Sequence, residues 1–365
     1  MKKSLKRKYF TEKLLLWNNN ENMRIMPWKG EKDPYRIWLS EVILQQTRVK
    51  QGEEYYHKFL KKFPNILRLA SATENEVFKL WEGLGYYSRC RNLLVTAREI
   101  AFSRGGKFPT DHQDILKLKG VGPYTAAAIS SFAYELPFAV TDANVFRLLA
   151  RFFGITKSTN SSEGKKYFTD LSQTLLDKSF PAIYNQAIMD FGAIICKPKQ
   201  PLCPQCTFQL ECTAFRKGLI GSLPLKEKKI TRKQRYFFYI IAEHGDAVYT
   251  RQRAGKDIWQ GLTEFILVEK NVKVPAEKLL RSSEFLSLVG SYKLIHISKA
   301  FRQQLTHQII EGVFIHIQLQ AVLKDASYTA VNKKQLLKKA FPRLINTFLE
   351  QEKSGREAMT GFFAK

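Results

Sequence analysis

The spacing of apolar residues divides the chain into two regions. Over residues 9–215 apolar positions recur at intervals of three and four, with Pro and Gly between the repeats, which predicts a mostly α-helical region. Residues 216–235 are largely polar and basic and carry no hydrophobic period, as is typical of a linker. Because the period changes after this linker, the two regions are predicted to be separate domains.

The region after the linker has the pattern of an α+β domain. Residues 236–242 and 247–250 are runs of aromatic and branched side chains on either side of His244-Gly-Asp, which predicts a strand, a turn and a strand. The remaining predicted elements are strands over 291–297 and 308–319 and helices over 333–340 and 342–352.

At 365 residues the chain is longer than one hydrophobic core usually supports, so a multidomain protein is expected. The predicted segments are a helical domain over 1–215, a basic linker over 216–235, a smaller α+β domain over 236–353 and a tail over 354–365.

The charge balance favours a polyanionic partner. Lys and Arg together number 59 against 33 Asp and Glu, a formal net charge of +26. Such an excess is most simply explained by nucleic acid binding, although a generally basic surface without a specific partner gives the same count.

The sequence contains no apolar run of the roughly 18 residues that a membrane span needs. The basic start is not followed by an apolar stretch, so it does not resemble a secretory signal, and a reducing, cytosolic protein is expected.

Four of the five cysteines form the pattern Cys-x6-Cys-x2-Cys-x5-Cys, and the fifth, Cys90, stands alone as a predicted core residue. Disulfides are not expected in a cytosolic chain of this size. Zinc usually takes two close cysteine pairs, whereas this pattern has one, and four thiolates in one compact loop can also hold a 4Fe–4S cluster. The spacing therefore leaves open an iron–sulfur cluster, zinc, or inert or redox thiols at Cys196, Cys203, Cys206 and Cys212.

Residues 111–133 have the pattern of two helices joined by a glycine turn. Gly120 and Gly122 allow the backbone N–H groups of the turn to face outward, and Pro123 suits the first position of the second helix. Together with the positive end of that helix, these N–H groups make a site for a phosphate. The pattern predicts sequence-independent contact with a DNA backbone, although an ordinary helical corner has a similar sequence.

Two carboxylates are candidates for chemistry. Glu41 lies on a helix predicted to start after an N-cap Asp33 with Pro34 at the first position, and its helical neighbours are largely apolar. Burial there would raise its pKa and make it a general acid, whereas a position at the helix edge would pair it with a Lys or Arg. Asp142 opens another predicted helix, either as a simple N-cap or as an ionised group beside a developing positive charge.

Taken together, the motifs resemble one family. The glycine hairpin, the Asp about twenty residues beyond it and the cysteine pattern resemble the endonuclease III superfamily of DNA glycosylases and, within it, the adenine DNA glycosylases of the MutY family. The resemblance covers residues 10–352, and its further markers lie at 26–47, 81–89 and 185–196.

This resemblance implies a helix-hairpin-helix glycosylase domain with a 4Fe–4S cluster loop over 196–212, followed by a Nudix-like domain. It implies one 4Fe–4S cluster and a monomer, cytoplasmic or nucleoid-associated, that acts on double-stranded DNA. The substrate would be adenine paired with 8-oxoguanine or guanine, flipped out of the helix before its removal. The sequence after residue 259 lacks the clustered Arg and Glu of a Nudix hydrolase, so nucleotide hydrolysis is not expected.

The resemblance also implies roles for single residues. Glu41 would protonate the departing adenine, and Asp142 would stabilise the oxocarbenium-like sugar that is left. Asn144 and Tyr124 would position these groups. The implied DNA and substrate contacts are Arg24 and Gln186 in the adenine pocket, Gln46 and Tyr86 in the base stack, Gly120 and Gly122 in the hairpin, and Leu305, Thr306 and His307 in a loop that recognises 8-oxoguanine.

Some positions separate this chain from its relatives. Bifunctional relatives carry a Lys where this sequence has Tyr124, and a phenol cannot form the Schiff base that leads to strand cleavage. A monofunctional glycosylase is therefore predicted, in preference to a bifunctional enzyme of the endonuclease III kind or a non-enzymatic iron–sulfur DNA-binding protein. The sequence departs from the family pattern at Lys29 for Arg, Ala143 for Gly, Leu305 for Phe and Thr306 for Ser.

Overall fold

The structure is a computed structural model that describes residues 3–227 and 231–354. The predicted tail beyond residue 354 therefore lies outside the described residues, as do the first two residues and part of the predicted linker. Two compact units are present, a first unit of residues 3–71 and 92–227 and a second unit of residues 72–91 and 231–354. The domain limits given above stay predictions.

The predicted helical character of residues 9–215 is confirmed. The α-helices in chain order are α1 (Lys3–Asn20), α2 (Pro34–Leu44), α3 (Val49–Lys62), α4 (Ile66–Ala70), α5 (Glu74–Trp81), α6 (Tyr87–Arg98), α7 (His112–Lys117), α8 (Pro123–Tyr134), α9 (Ala143–Phe153), α10 (Ser162–Leu175), α11 (Pro181–Ile194), α12 (Thr213–Arg216), α13 (Ala276–Leu280), α14 (Ser283–Val289), α15 (Lys333–Leu336) and α16 (Arg343–Ser354). A π-helical turn at Glu99–Ser103 and 3₁₀ turns at Cys203–Gln205 and Gln209–Glu211 complete the helical structure.

Local sequence sets where the functional helices start. Asp33 caps α2 by accepting a hydrogen bond from the Tyr35 backbone N–H at 2.9 Å, with Pro34 in the first position as predicted. Pro123 likewise occupies the first position of α8, directly after Gly122. Since Pro has no backbone N–H to lose there, both helices start where their prolines stand.

The core of the first unit is aromatic. Phe10 of α1 stacks on Phe208 with their ring centroids 4.9 Å apart, and Phe152 of α9 lies 5.0 Å from each of them. Trp17 meets the edge of Phe191 of α11 at 4.7 Å. Because aromatic side chains bury large areas, this cluster fixes α1, α9 and α11 against the loop that carries the cysteines.

The second unit contains a mixed seven-stranded sheet. Its strands are β1 (Lys233–His244), β2 (Ala247–Gln252), β3 (Thr263–Lys270), β4 (Tyr292–Ile297), β5 (Phe301–Gln304), β6 (Gln308–Leu319) and β7 (Thr329–Asn332). Neighbouring strands follow the order β4-β6-β1-β3-β2-β7, and β5 pairs with β6. Among the pairings of the described residues, β1 with β6 is parallel and the others are antiparallel.

The strand, turn and strand predicted near residue 244 are confirmed as β1 and β2, and the two later strands as β4 and β6. The helix predicted over 333–340 was too long, because α15 ends at Leu336. Beyond it, the backbone N–H of Ala340 donates to Asn75 at 3.3 Å and that of Phe341 to Glu82 at 2.9 Å. Partners distant in sequence hold the backbone there in a non-helical conformation.

Among the described residues, no helix is both long enough and apolar enough to cross a membrane.

Candidate active site and cysteine loop

The first unit contains a cavity of about 540 Å³. Its walls come from α2, α8, α11 and the start of α9, together with the loop between α1 and α2. Of the residues predicted to act in catalysis or in the adenine pocket, the cavity is lined by Arg24, Glu41, Tyr124, Asp142, Asn144 and Gln186. Positions more than 160 residues apart in the sequence therefore meet in one site.

Glu41 is a buried carboxyl group in the wall of this cavity. Only 7% of the residue is exposed, and this burial raises the pKa of its carboxyl to about 7. The negative charge of Asp142 acts in the same direction, whereas a hydrogen bond from the Tyr124 hydroxyl acts against it. The predicted helix-edge ion pair is not what the structure shows, so Glu41 is a carboxylic acid able to donate a proton near neutral pH.

Asp142 is the N-cap of α9, as predicted, and also faces the cavity. Its Oδ1 accepts from the backbone N–H groups of Asn144 and Val145 at 2.8 Å each, and its Oδ2 accepts from Asn144 Nδ2 at 2.7 Å. The pKa of Asp142 is raised, because the effect of burial outweighs that of these three hydrogen bonds and of the Arg147 charge, which lower it. The hydrogen bonds orient the carboxylate and favour its ionised form beside Glu41.

The phenol of Tyr124 is influenced by both carboxyl groups. Burial and the charges of Glu41 and Asp142 hold the pKa of its phenol well above the ordinary value. The hydroxyl therefore keeps its proton, is hydrogen-bonded to Glu41 and lies 3.4 Å from the Met189 sulfur. This hydrogen bond places Tyr124 beside the acid, and its role in orienting Glu41 stays a prediction.

Asp190 connects the residues of the predicted adenine pocket, although the sequence did not single it out. Its side chain is fully buried and accepts from Arg24 Nη1 at 2.7 Å, Gln186 Nε2 at 2.9 Å and Asn22 Nδ2 at 2.9 Å. Lys29, one of the departures from the family pattern named above, reaches the same carboxylate at 3.2 Å. Gln186 and Asp190 are four residues apart on α11 and so share one face of the helix. That spacing is the sequence feature from which a contact between them could have been predicted.

Tyr86 lies with the predicted recognition loop in the second unit. A cavity of about 610 Å³ is lined by Tyr86, Leu305, Thr306 and His307, and the hydroxyls of Tyr86 and Thr306 are hydrogen-bonded. Tyr86 has a positive φ of 48°, a conformation that is uncommon for a bulky residue. Gln46, which follows α2 in the first unit, also has a positive φ, of 60°. Positive φ at non-glycine residues often accompanies a functional site.

The predicted hairpin is present as α7, a turn and α8, and its tip is exposed. Gly120 has a φ of +77°, and a Cβ placed on it would lie 2.6 Å from Asn92 Cβ, so only glycine fits there. Gly122 is the N-cap of α8, and the space around it is open. The exposed N-terminal backbone of α8 is therefore accessible to a phosphate group.

The four clustered cysteines line one small cavity of about 20 Å³, and all are free thiols. Burial raises the pKa of the Cys206 thiol to about 12 and also raises those of Cys203 and Cys212. No three His, Cys, Asp or Glu side chains within residues 3–227 and 231–354 lie close enough to hold a single metal ion. Cys90 is fully buried, as predicted for a core residue.

Helix α9 ties the cysteine loop to the candidate active site. Arg147 donates from Nε to the Cys196 carbonyl at 2.7 Å and from Nη2 to Asn144 Oδ1 at 2.7 Å, while Asn144 holds Asp142. One turn later, Arg151 donates to the Lys197 carbonyl at 2.7 Å. Arg147 and Arg151 are buried, so the hydrogen bonds to these carbonyls offset the cost of removing their charges from water. The same hydrogen bonds hold the loop against α9.

Comparisons with known proteins agree with this arrangement. A family model described as HhH-GPD superfamily base excision DNA repair protein matches residues 39–173. The chain is 32% identical over 308 residues to an adenine DNA glycosylase of Buchnera aphidicola subsp. Baizongia pistaciae, covering 82% of this chain and 83% of that protein. It is 39% identical over 214 residues to an adenine DNA glycosylase of Homo sapiens, covering 56% of this chain and 39% of that protein. The solved structure of a thermostable thymine-DNA glycosylase aligns with a TM-score of 0.55 and 32% identity over 59% of this chain and 98% of that chain.

Proposed function

The chain belongs to the adenine DNA glycosylase family, and we propose that it removes adenine paired with 8-oxoguanine or guanine from double-stranded DNA, acting as a monomer. The observation that carries this proposal is the meeting of buried Glu41 and partly buried Asp142 in one cavity, with Tyr124 hydrogen-bonded to the acid. A cavity of about 540 Å³ has room for a flipped base, which must leave the duplex before chemistry.

The proposed reaction is cleavage of the N-glycosidic bond by acid catalysis. Glu41 donates its proton to the adenine ring, because adenine is a poor leaving group as an anion. Departure of neutral adenine leaves positive charge on the sugar, and the ionised carboxylate of Asp142 stabilises that charge. A water molecule then adds to the sugar carbon and loses a proton, which completes the hydrolysis and gives the abasic site. Arg24 and Gln186, both held by Asp190, contact the base in the cavity.

The proposed enzyme is monofunctional and leaves an abasic site. Tyr124 supplies no amine, and the lysines that line the cavity, Lys29 and Lys32, are paired with the carboxylates of Asp190 and Glu135. Engagement of both lysines by carboxylates favours a reaction without a lysine nucleophile.

The product test uses a duplex with one adenine opposite 8-oxoguanine. We expect base loss in a single turnover, with strand breaks only after alkali and no enzyme–DNA adduct after borohydride. A second duplex with thymine opposite guanine tests for the thymine-DNA glycosylase activity named for the structural relative. We expect no base loss from this duplex. Strand breaks without alkali, together with a trapped adduct, would establish a bifunctional enzyme instead.

The pH profile of the same reaction follows from the two carboxyl groups. Glu41 acts only while protonated, and since its pKa is about 7, the single-turnover rate should fall as the pH rises through 7, about tenfold per unit above it. On the acid side the rate should fall as Asp142 becomes protonated, and burial raises the pKa at which this happens. Rates from pH ~5 to ~9 at saturating enzyme give the profile, and a constant rate up to pH ~9 would exclude Glu41 as the acid.

The cysteine loop is proposed to hold one 4Fe–4S cluster. Four free thiols around one cavity fit a Cys₄ cluster, and the set lacks the two close pairs typical of zinc. With all four sites filled by thiolates, the cluster would have a structural role, ordering the loop that Arg147 and Arg151 hold. We expect the purified protein to be yellow-brown, and analysis of its iron, sulfide and zinc content tests this assignment.

The second unit is proposed to be a Nudix-like domain that recognises 8-oxoguanine. Support comes from the cavity that Tyr86 shares with Leu305, Thr306 and His307 and from the hydrogen bond between Tyr86 and Thr306. Thr306 keeps the hydroxyl of the serine found in relatives, so this loop can still offer a donor and an acceptor to the damaged base.

A further inference from the structure

The function proposed above leaves the basic start of α1 without a role. Among the lysines of that stretch, Lys6 lies against the cysteine loop: its Nζ donates to Thr213 Oγ1 at 2.8 Å, and Thr213 directly follows Cys212. The same ammonium group lies 4.8 Å from the centroid of the Phe152 ring. A hydrogen bond and a cation–π contact together hold this charge in one place.

Neighbouring residues of α1 cover the cysteine loop as well. Phe10 is fully buried and stacks at 4.9 Å on Phe208, which lies between Cys206 and Cys212 in sequence. Lys6 stands one helical turn before Phe10, on the same side of α1. The helix that Phe10 anchors therefore fixes the Lys6 charge beside the cluster site.

The electrostatic environment of Lys6 agrees with this placement. Partial burial is the largest influence on the Lys6 ammonium group and lowers its pKa. Lys8, two residues later, is largely solvated: 75% of its side chain is exposed, and it forms an ion pair with Glu12 of the same helix at 3.8 Å. The two lysines thus form a natural comparison of a fixed charge with a solvated one.

We propose that Lys6 raises the reduction potential of the 4Fe–4S cluster and stabilises it by placing a fixed positive charge beside Cys212, an inference that rests on the cluster proposed above. Four thiolates around an oxidised core carry a net charge of about −2, and each added electron makes it more negative. A nearby cation favours the more negative state, and its effect is greatest where water is partly excluded.

The test compares the midpoint potentials of the intact protein with those of Lys6→Met, Lys6→Arg and Lys8→Met, measured by voltammetry. Lys6→Met keeps a long apolar stem over Phe152 but removes the charge. At the wild-type midpoint we expect its ratio of oxidised to reduced cluster to rise about tenfold, equal to a potential lower by about 59 mV for one electron. Lys6→Arg should restore the wild-type value, and Lys8→Met should leave it unchanged.

The cluster content and the potentials of these variants support or overturn the role of Lys6. Loss of the cluster from Lys6→Met with retention in Lys6→Arg would support it, because only the charge separates these variants. Equal potentials for wild type, Lys6→Met and Lys8→Met would overturn it while leaving the cluster assignment intact. If wild-type protein prepared without oxygen contains no iron or sulfide, the cluster assignment and this inference are both wrong. Base release by that protein tests the proposed function separately.

Discussion

Glu41→Gln is expected to reduce single-turnover release of adenine by roughly 10³-fold or more, while binding to the same duplex is retained. The substitution keeps the shape of the side chain and its ability to accept a hydrogen bond from Tyr124, but an amide is no acid. Without a donated proton, the adenine would have to leave as an anion. The loss therefore falls on the chemical step, and the residues expected to contact DNA are unchanged.

The experiment needs a control carboxylate in the same cavity. Glu135 lines it too, yet its carboxylate is half exposed and paired with Lys32, so Glu135→Gln makes the same chemical change outside the acid position. That variant should react within a few-fold of wild type. Wild-type rates in Glu41→Gln would assign the acid to another group, and no base loss from the wild type would favour a non-enzymatic DNA-binding protein.

Asp142→Asn is expected to lower base release by roughly 10²- to 10³-fold while keeping the helix cap, with loss of the hydrogen bond from Asn144 Nδ2. Asn is as good an N-cap as Asp, so the two backbone N–H groups at the start of α9 keep their acceptor. The negative charge is lost, however, and with it the electrostatic stabilisation of the sugar cation. This variant therefore separates the role of Asp142 as a helix cap from its role as the negative charge that stabilises the sugar cation.

Asp142→Ala provides the comparison, because it removes both the charge and the cap. It should lower base release at least as much as Asp142→Asn and also destabilise the protein by about 1 kcal/mol through the lost cap. Thermal unfolding and single-turnover kinetics of the two variants give both quantities. If Asp142→Asn reacts at the wild-type rate, Asp142 is only a helix cap and another group stabilises the cation.

Elements governed by neighbouring residues could be predicted from the sequence. Asp33 with Pro34, and Gly122 with Pro123, mark helix starts because capping and the missing proline N–H act over one turn. The turn between β1 and β2 is local for the same reason. In contrast, β5 and β7 are four residues each, too short to show a strand period, and their pairing comes from distant strands.

The sequence by itself determined the residue types of the site: a Glu among apolar neighbours, an Asp at a helix start, a Tyr where a Lys would cut DNA, and four cysteines in a compact loop. Only the tertiary structure decided that Glu41 is buried, that Asp190 holds Arg24, Lys29 and Gln186 together, and that Lys6 lies against the cysteine loop. The physical reason is that a pKa, an ion pair or a fixed charge depends on burial and on partners far away in sequence, and packing alone brings those partners together.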